Sequence, residues 1–246
     1  MKRDGSVSCG LLKSAKIKHG EKVLDISCGT GLVTFPIAES VGEKGQVTGV
    51  DLSEKMIEKA AEEAEQRGLA NIDFRHMDAE DLELADASFD VAVNSLGGMY
   101  YPDPDKAHQE MYRVLKPGGR TAALVWGRRK ECGWADIFPI VDRRVESDVC
   151  PLFFQLGTGL TLQEGFESVG FKEVETERFN VNLHYETDEE AIIGAFLGGA
   201  VALAYRKFDE QTKKEIHGEY IESIKPYWDG EEYKIPGEFV IVVGKK

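Results

Sequence analysis

The chain has 246 residues and a formal net charge of −14, from 30 basic and 44 acidic side chains. That length suits one α/β domain with a large core, and the acidic balance argues against a nucleic-acid or anionic-membrane partner, because phosphate binding rests on Lys and Arg. Four cysteines (Cys9, Cys28, Cys132, Cys150) form no C-x-x-C pair, so no metal site or redox dithiol is expected and free thiols in a reducing, cytoplasmic setting are.

Met1–Gly5 has no apolar segment behind it, so no signal peptide is expected. Lys13, Lys16, Lys18 and Lys22 read as a solvated edge rather than a binding patch. Lys22–Ser27 is a predicted strand that runs into Cys28-Gly29-Thr30-Gly31, and helical spacing follows near 32–40. Next come a strand over Gln46–Asp51, a helix from Ser53 to about Arg67 stopped by Gly68, and a strand over 72–77. Asp90–Ser95 is near-continuously apolar, as a doubly covered parallel strand should be. A helix over Lys106–Leu115, ended by Pro117-Gly118-Gly119, precedes a strand over Arg120–Trp126.

The second half is less regular. A helix over Trp134–Val145 is expected to kink at Pro139. Thr161 to Glu164 and Thr187 to Glu190 read as capping boxes. The first opens a helix ending at Gly170, the second an apolar helix over Ala191–Tyr205. Within the latter, the run Gly194–Tyr205 is too short to span a bilayer and reads as buried. Val174–Val181 and Phe239–Val243 read as strands. Asp209–Ile224 reads as an amphipathic helix with Ile216, Tyr220 and Ile224 on one face. Alternating strands and helices predict a doubly wound, mostly parallel seven-stranded α/β sheet with helices on both faces and helical insertions near the sixth strand. A single domain over 1–246 is expected, with a cofactor-binding half (1–127) and a substrate-covering half (128–246).

The glycine turn after the first strand marks a nucleotide-type cofactor site. Thr34 stands where a dinucleotide fingerprint has its third glycine. Asp51 ends the second strand, twenty positions beyond Gly31. There its carboxylate can accept from both hydroxyls of an adenosine ribose, or simply cap the helix that follows. Asp78 ends the third strand, where it can take an adenine amino hydrogen while Ala79 offers its backbone N–H, or can lie in an acidic surface loop. Leu52 and Met56 can sandwich a purine, or Met56 can be helix core.

This assembly resembles the class I S-adenosylmethionine-dependent methyltransferases. Val23–Gly31 looks like their first motif, Val47–Asp51 like their acidic second and Asp78-Ala79 like their adenine motif. Ser88–Asn94 is similar to their fourth-strand motif, and Tyr112–Arg120 to the signature after the fourth helix. The resemblance runs over residues 23–126, is nearest to the ubiquinone/menaquinone-type small-molecule enzymes, and is only general beyond Trp126. It implies S-adenosylmethionine as cofactor, with S-adenosylhomocysteine as product. The implied cofactor-binding residues are Asp25, Ser27, Gly29, Thr30, Gly31, Asp51, Leu52, Met56, Asp78, Ala79, Asn94 and Ser95. One departure is the segment before the first strand, where only a modest apolar stretch (Leu11, Leu12, Ala15, Ile17) stands in for a closing helix.

Methyl transfer needs positioning more than a protein nucleophile. Tyr100, Tyr101 and His184 are weighed as bases and none is assigned; His108 reads as surface and His76 as part of the third strand. An apolar acceptor pocket is expected from Gly97–Tyr101, Trp126, Trp134, Phe138, Phe153 and Phe154. The expected partner is a small-molecule substrate, with no nucleic acid and no integral membrane segment; the sequence leaves a homo-oligomer open. Three other readings compete. A macromolecular methyltransferase is disfavoured by the charge, and by Asn94-Ser95-Leu96-Gly97 in place of Asn/Asp-Pro-Pro-Tyr. A nicotinamide oxidoreductase is disfavoured by Thr34. A non-catalytic S-adenosylmethionine-binding protein is excluded by no motif.

Overall fold

The computed structural model describes residues 6–146, 150 and 152–246. Met1–Gly5, with the signal-peptide reading, and the Cys9 side chain lie outside these. Two compact units divide the chain: one takes Gly5–Val125, Gly159–Glu177 and Val240–Lys246, the other Trp126–Thr158 and Arg178–Phe239. The strands are β1 (Lys22–Ile26), β2 (Gln46–Asp51), β3 (Ile72–His76), β4 (Phe89–Ser95), β5 (Leu115–Trp126), β6 (Lys172–Tyr185) and β7 (Tyr233–Lys245). They form a seven-stranded sheet of order β3-β2-β1-β4-β5-β7-β6. Pairing is parallel from β3 through β5 and antiparallel at the far end, where Gly118 N donates to Lys246 O (3.0 Å) and Lys246 N to Gly119 O (2.9 Å).

The larger unit follows its sequence pattern closely. Val23, Leu24, Val47, Val91, Ala92, Val93 and Leu124 are fully buried, which is why the central strands read as unbroken apolar runs. Helices α2 (Thr34–Val41), α3 (Glu54–Arg67) and α4 (Pro104–Val114) connect them. Gly68 ends α3 at φ +67°, in the left-handed region that suits a helix stop. Asp103 caps α4, its side chain accepting from Lys106 N, and Pro104 sits where no helical N–H is needed.

Ahead of β1 lies a ten-residue helix, α1 (Ser6–Ala15), which buries Leu11 and Ala15, one turn apart, and packs beside β4. Arg120 holds its end: Nε donates to Ala15 O (2.7 Å), while Nη1 and Nη2 fork onto the Glu21 carboxylate (2.8 Å each). The lysines at 13, 16, 18 and 22 are exposed.

Several sequence readings are corrected. The helix expected over Lys106–Leu115 begins at Pro104 and ends at Val114, and the strand expected from Arg120 begins at Leu115, which is already extended and pairs with Phe89. Pro117-Gly118-Gly119 therefore lie inside β5, accommodated by a register shift between Phe89 and Val91. The Thr161 capping box does not form. Leu160 occupies the cap of α6 (Thr161–Val169), with no side-chain bond. His108 is not at the surface. It is buried against Phe166 (ring centroids 5.0 Å apart, 82° between planes), and burial pushes its pKa down to about 4. The small side of Gly165 makes that fit, because a Cβ there would lie 2.9 Å from His108 Nδ1.

In the smaller unit the expected 134–145 helix shrinks to α5 (Ile137–Asp142). Pro139 falls in its first turn, where the missing N–H leaves nothing unpaired, so it marks a start rather than a kink. Thr187 does cap α7 (Asp188–Phe196), accepting from Glu190 N at 3.2 Å. The expected long helix nevertheless breaks, resuming as α8 (Ala202–Tyr205) beyond Gly198 and Gly199, residues with low helix propensity. The run is also less buried than expected, since Leu197 and Leu203 are exposed. Helix α9 (Glu210–Ile224) buries Ile216, Tyr220 and Ile224 as predicted. No helix among the described residues is long and apolar enough to cross a membrane. Cys28, Cys132 and Cys150 are free thiols.

Candidate functional site

In open parallel sheets the binding crevice lies beyond the carboxyl ends of the strands, where the strand order reverses. Here the reversal falls between β1 and β4, so two loops matter, the one after Ile26 and the one after Ser95.

The first loop is a compact turn. Cys28 N donates to Val50 O (2.9 Å) and Gly31 N to Cys28 O (3.0 Å). Gly31 has φ +88°, and a Cβ on it would lie 2.5 Å from the Phe35 ring. At Gly29 (φ +55°) the space where a side chain would stand is open for 4 Å, so backbone is presented bare to whatever binds there. Asp51 reaches across from β2. Its Oδ2 accepts from Gly29 N and its Oδ1 from Ser53 N, both at 2.9 Å. The predicted meeting of glycine turn and acidic strand end is thus a direct bond, whereas Asp51 does not cap the helix that follows: Ser53 is the cap residue of α3, without a side-chain cap bond, and Asp51 holds its N–H in a local turn. Each carboxylate oxygen keeps a second lone pair for a ligand hydroxyl.

Asp25 lies below the turn, 1 % exposed. Thr34 Oγ1 donates to its Oδ2 at 2.6 Å, and its Oδ1 is buried with no hydrogen-bond partner. Burial, with the Asp51 charge adding to it, pushes the Asp25 pKa up to about 7 despite the Thr34 bond. Sequence reasoning treated Thr34 only as an absent glycine. Its hydroxyl, nine residues from a strand-buried Asp, was the available signal.

The second loop contributes Asn94, 3 % exposed. Its Nδ2 donates to Ile26 O (2.9 Å) and to Tyr101 Oη (2.7 Å), while its Oδ1 accepts from Gly98 N (3.0 Å). Tyr101 Oη lies 2.7 Å from Ser27 Oγ. Burial drives the Tyr101 phenol well above its usual range, so it is a poor proton acceptor at neutral pH. Gly97 is needed here because a Cβ would lie 2.4 Å from Ser27 Cβ. Ser27 (φ +58°) and Leu96 (φ +60°) hold left-handed conformations that side-chain-bearing residues rarely adopt.

The remaining predicted residues lie nearby along the chain without joining this hydrogen-bond network, Met56 in the first turn of α3 and Ser95 at the end of β4. Leu52 is 68 % and Met56 42 % exposed, so Met56 is not helix core. Asp78 turns its Oδ1 onto Glu80 N (2.9 Å), and Ala79 is buried. Thr30 is exposed and Ser95 half-buried. His76 Nε2 meets Leu52 O at 2.9 Å. His184 Nδ1 pairs with Glu232 at 3.1 Å. Among the described residues no three His, Cys, Asp or Glu side chains gather as a metal site.

In the smaller unit Trp134 is ringed by Trp126, Phe138, Phe153 and Phe154, with centroids 4.8 to 6.0 Å away. Its Nε1 is buried with no hydrogen-bond partner.

A family model described as a methyltransferase domain matches residues 17–126. A demethylmenaquinone methyltransferase of Listeria welshimeri is 36 % identical over 127 residues, 52 % of this chain and 54 % of that one. One from Staphylococcus epidermidis is 41 % identical over 114 residues, 46 % of each chain. The chain therefore spans about half the length of the curated relatives it matches. Among solved structures, a Bacillus halodurans protein described as a putative methyltransferase superposes with TM-score 0.67 at 21 % identity, covering 98 % of this chain and 99 % of that one. A Haemonchus contortus phosphoethanolamine N-methyltransferase 2, in complex with S-adenosyl-L-methionine, superposes with TM-score 0.64 at 21 % identity, covering 97 % of this chain and 52 % of that one. At such identities the structural likeness speaks to the fold.

Proposed function

We propose that the protein binds S-adenosylmethionine over Gly29–Gly31 and transfers its methyl group in line to a small apolar or aromatic acceptor, a reading supported by the match of residues 17–126 to a methyltransferase-domain model. The observation that carries this reading is the Asp51–Gly29 bond, which sets an acidic strand end against bare backbone. The residues fit the cofactor. Asp51 has lone pairs for the ribose hydroxyls, exposed Leu52 and Met56 offer apolar faces for the purine, and Asp78 with Ala79 N–H suits the adenine edge. Ser27, Thr30, Asn94 and Ser95 border the place for the methionine part. The orphaned Oδ1 of Asp25 suits a cationic ligand.

When bound, the cofactor supplies an electrophilic methyl group and leaves as S-adenosylhomocysteine. What this chain supplies is alignment and exclusion of water. No side chain is assigned as a base: Tyr101 is committed to Asn94 and Ser27, and His184 to Glu232.

Asp51→Ala is expected to weaken cofactor binding by about 1–3 kcal/mol, the penalty for hydroxyls left unpaired. Calorimetry with S-adenosylmethionine measures it, with NAD as the contrasting ligand; unchanged affinity would remove Asp51 from the ribose.

The acceptor reading rests on the ring cluster and its orphaned indole N–H, a donor awaiting an oxygen. A hydroxylated bicyclic aromatic combines both features, in keeping with the demethylmenaquinone methyltransferases among the relatives. Trp134→Phe keeps the ring and removes the donor. Affinity for dihydroxynaphthalene should fall about two- to tenfold, with naphthalene itself unaffected. Saturation-transfer NMR that shows a small polar amine as the acceptor, with no contact to these rings, would end this reading.

A further inference from the structure

The bond directions around Tyr101 can be worked out without seeing a hydrogen. Ile26 O can only accept and Gly98 N can only donate, so Asn94 must present Nδ2 to the first and Oδ1 to the second. The other Nδ2 hydrogen then goes to Tyr101 Oη. Tyr101 is accepting from Asn94, and its own hydrogen has one acceptor in reach, Ser27 Oγ at 2.7 Å. Pointed elsewhere, that hydrogen would be buried unpaired. The chain therefore runs one way, Asn94 to Tyr101 to Ser27, and the Ser27 hydroxyl hydrogen is left over with no protein acceptor among the described residues.

Ser27 is also strained. Its φ of +58° is one that glycine adopts freely, and Gly97 next to it has no room for a Cβ. Strain of this kind persists where the surroundings enforce it for a purpose. A glycine at 27 would relieve it but would lose the hydroxyl.

We propose that Tyr101 is a positioning residue that turns the Ser27 hydroxyl hydrogen outward as a donor to the carboxylate of the cofactor's methionine part. This rests on the S-adenosylmethionine reading above. The carboxylate is the only anionic group on that cofactor. A donor oriented in advance toward it, beside the acidic pair Asp25 and Asp51, marks one end of the methionine part for the carboxylate and leaves the acidic side for the ammonium and sulfonium.

The experiment is calorimetry of the full chain with S-adenosylhomocysteine, and with methylthioadenosine, which keeps adenine, ribose and sulfur but has no carboxylate. Thermal melts are recorded alongside. Ser27→Gly should weaken S-adenosylhomocysteine binding about five- to twentyfold while its Tm holds or rises, since the strain is gone. A purely structural role would move both in one direction. Tyr101→Phe should weaken the same ligand about three- to tenfold, and the double variant should lose little more than Ser27→Gly alone, because both substitutions break one chain. Methylthioadenosine should not distinguish wild type from either variant. Unchanged S-adenosylhomocysteine affinity, equal losses for the two ligands, or additive losses in the double variant each overturn the proposal. Failure of the wild type to bind S-adenosylhomocysteine would instead overturn the S-adenosylmethionine reading beneath it.

Discussion

Glu238→Ala should lower folding stability by about 3 kcal/mol, the low end for breaking a buried ion pair, because Arg128 and Arg178 stay partly exposed. Glu238 is a β7 carboxylate only 3 % exposed. Its Oε2 accepts from Arg128 N (2.7 Å), Arg128 Nε (3.2 Å) and Arg178 Nη1 (3.2 Å), and its Oε1 from Arg128 Nη2 (2.5 Å). Gly127 leaves just enough room, as a Cβ there would come within 2.2 Å of Oε2. Removing the carboxylate takes the shared acceptor from the Arg128 N–H and from both guanidinium groups, of which Arg178 keeps Gly157 O (2.8 Å). Burial raises the Glu238 pKa, but Arg128 and Arg178 outweigh it and hold the group below the usual carboxylate range. Its contribution is therefore present above the unfolded-state pKa and is lost as pH falls through the lower folded one. Urea titration at neutral pH gives the magnitude. A loss under about 1 kcal/mol would mean that water replaces the carboxylate and that the cluster behaves as a surface ion pair.

Asp25 gives the opposite pH behaviour. Its pKa rises from 3.8 to about 7 in the fold, mainly through burial. Stability linked to this group is complete below pH 4 and drains away as pH rises through about 7. A shift of that size corresponds to roughly 4 kcal/mol as an upper bound. Asp25→Asn, which keeps an oxygen for Thr34, should thus match or trail the wild type at pH 5 and gain on it by about 2.5 kcal/mol between pH 5 and pH 8. Denaturant midpoints at the two pH values test it; a difference between the chains that does not change with pH would place the Asp25 pKa outside this range.

How far the sequence could be read follows from what each segment buries. Val23–Ile26, Gln46–Asp51 and Phe89–Ser95 are covered on both faces, and Glu54–Arg67 is bounded by Ser53 and Gly68, so periodicity and punctuation located them to within a residue or so. Both strands at the antiparallel end extend well past their expected limits. In β6, Glu173, Glu175 and Glu177 point alternately to solvent, and charged residues weaken a strand signal. In β7, Pro236 and Gly237 read as breakers, although Gly237 is there to admit Trp126, whose ring would lie 2.6 Å from a Cβ. His108 looked like a surface residue on a polar helix because its cover, Phe166, is 58 positions away in the chain.

At the site, the meeting of the glycine turn with Asp51 was legible because both stand at the ends of adjacent parallel strands. The Asn94–Tyr101–Ser27 chain was not. Tyr101 was weighed as a base because a tyrosine near an active loop invites that reading. Only the two fixed ends, Ile26 O and Gly98 N, reveal that its hydrogen is already assigned.

The strand order has a further consequence for biosynthesis. β7 is last of the strands along the chain yet lies between β5 and β6. While the ribosome is still short of Tyr233, β5 has an unpaired edge and β6 has no sheet to join. Ala122–Trp126 make the second half of β5 an apolar run, and an open apolar edge is a template for foreign strand pairing. The nascent chain should therefore be at its most aggregation-prone late in synthesis, after the loops that follow β1 and β4 have folded and before β7 closes the gap. Stalled ribosome–nascent-chain complexes arrested shortly before and shortly after β7 emerges should differ sharply in chaperone capture, the longer one escaping it.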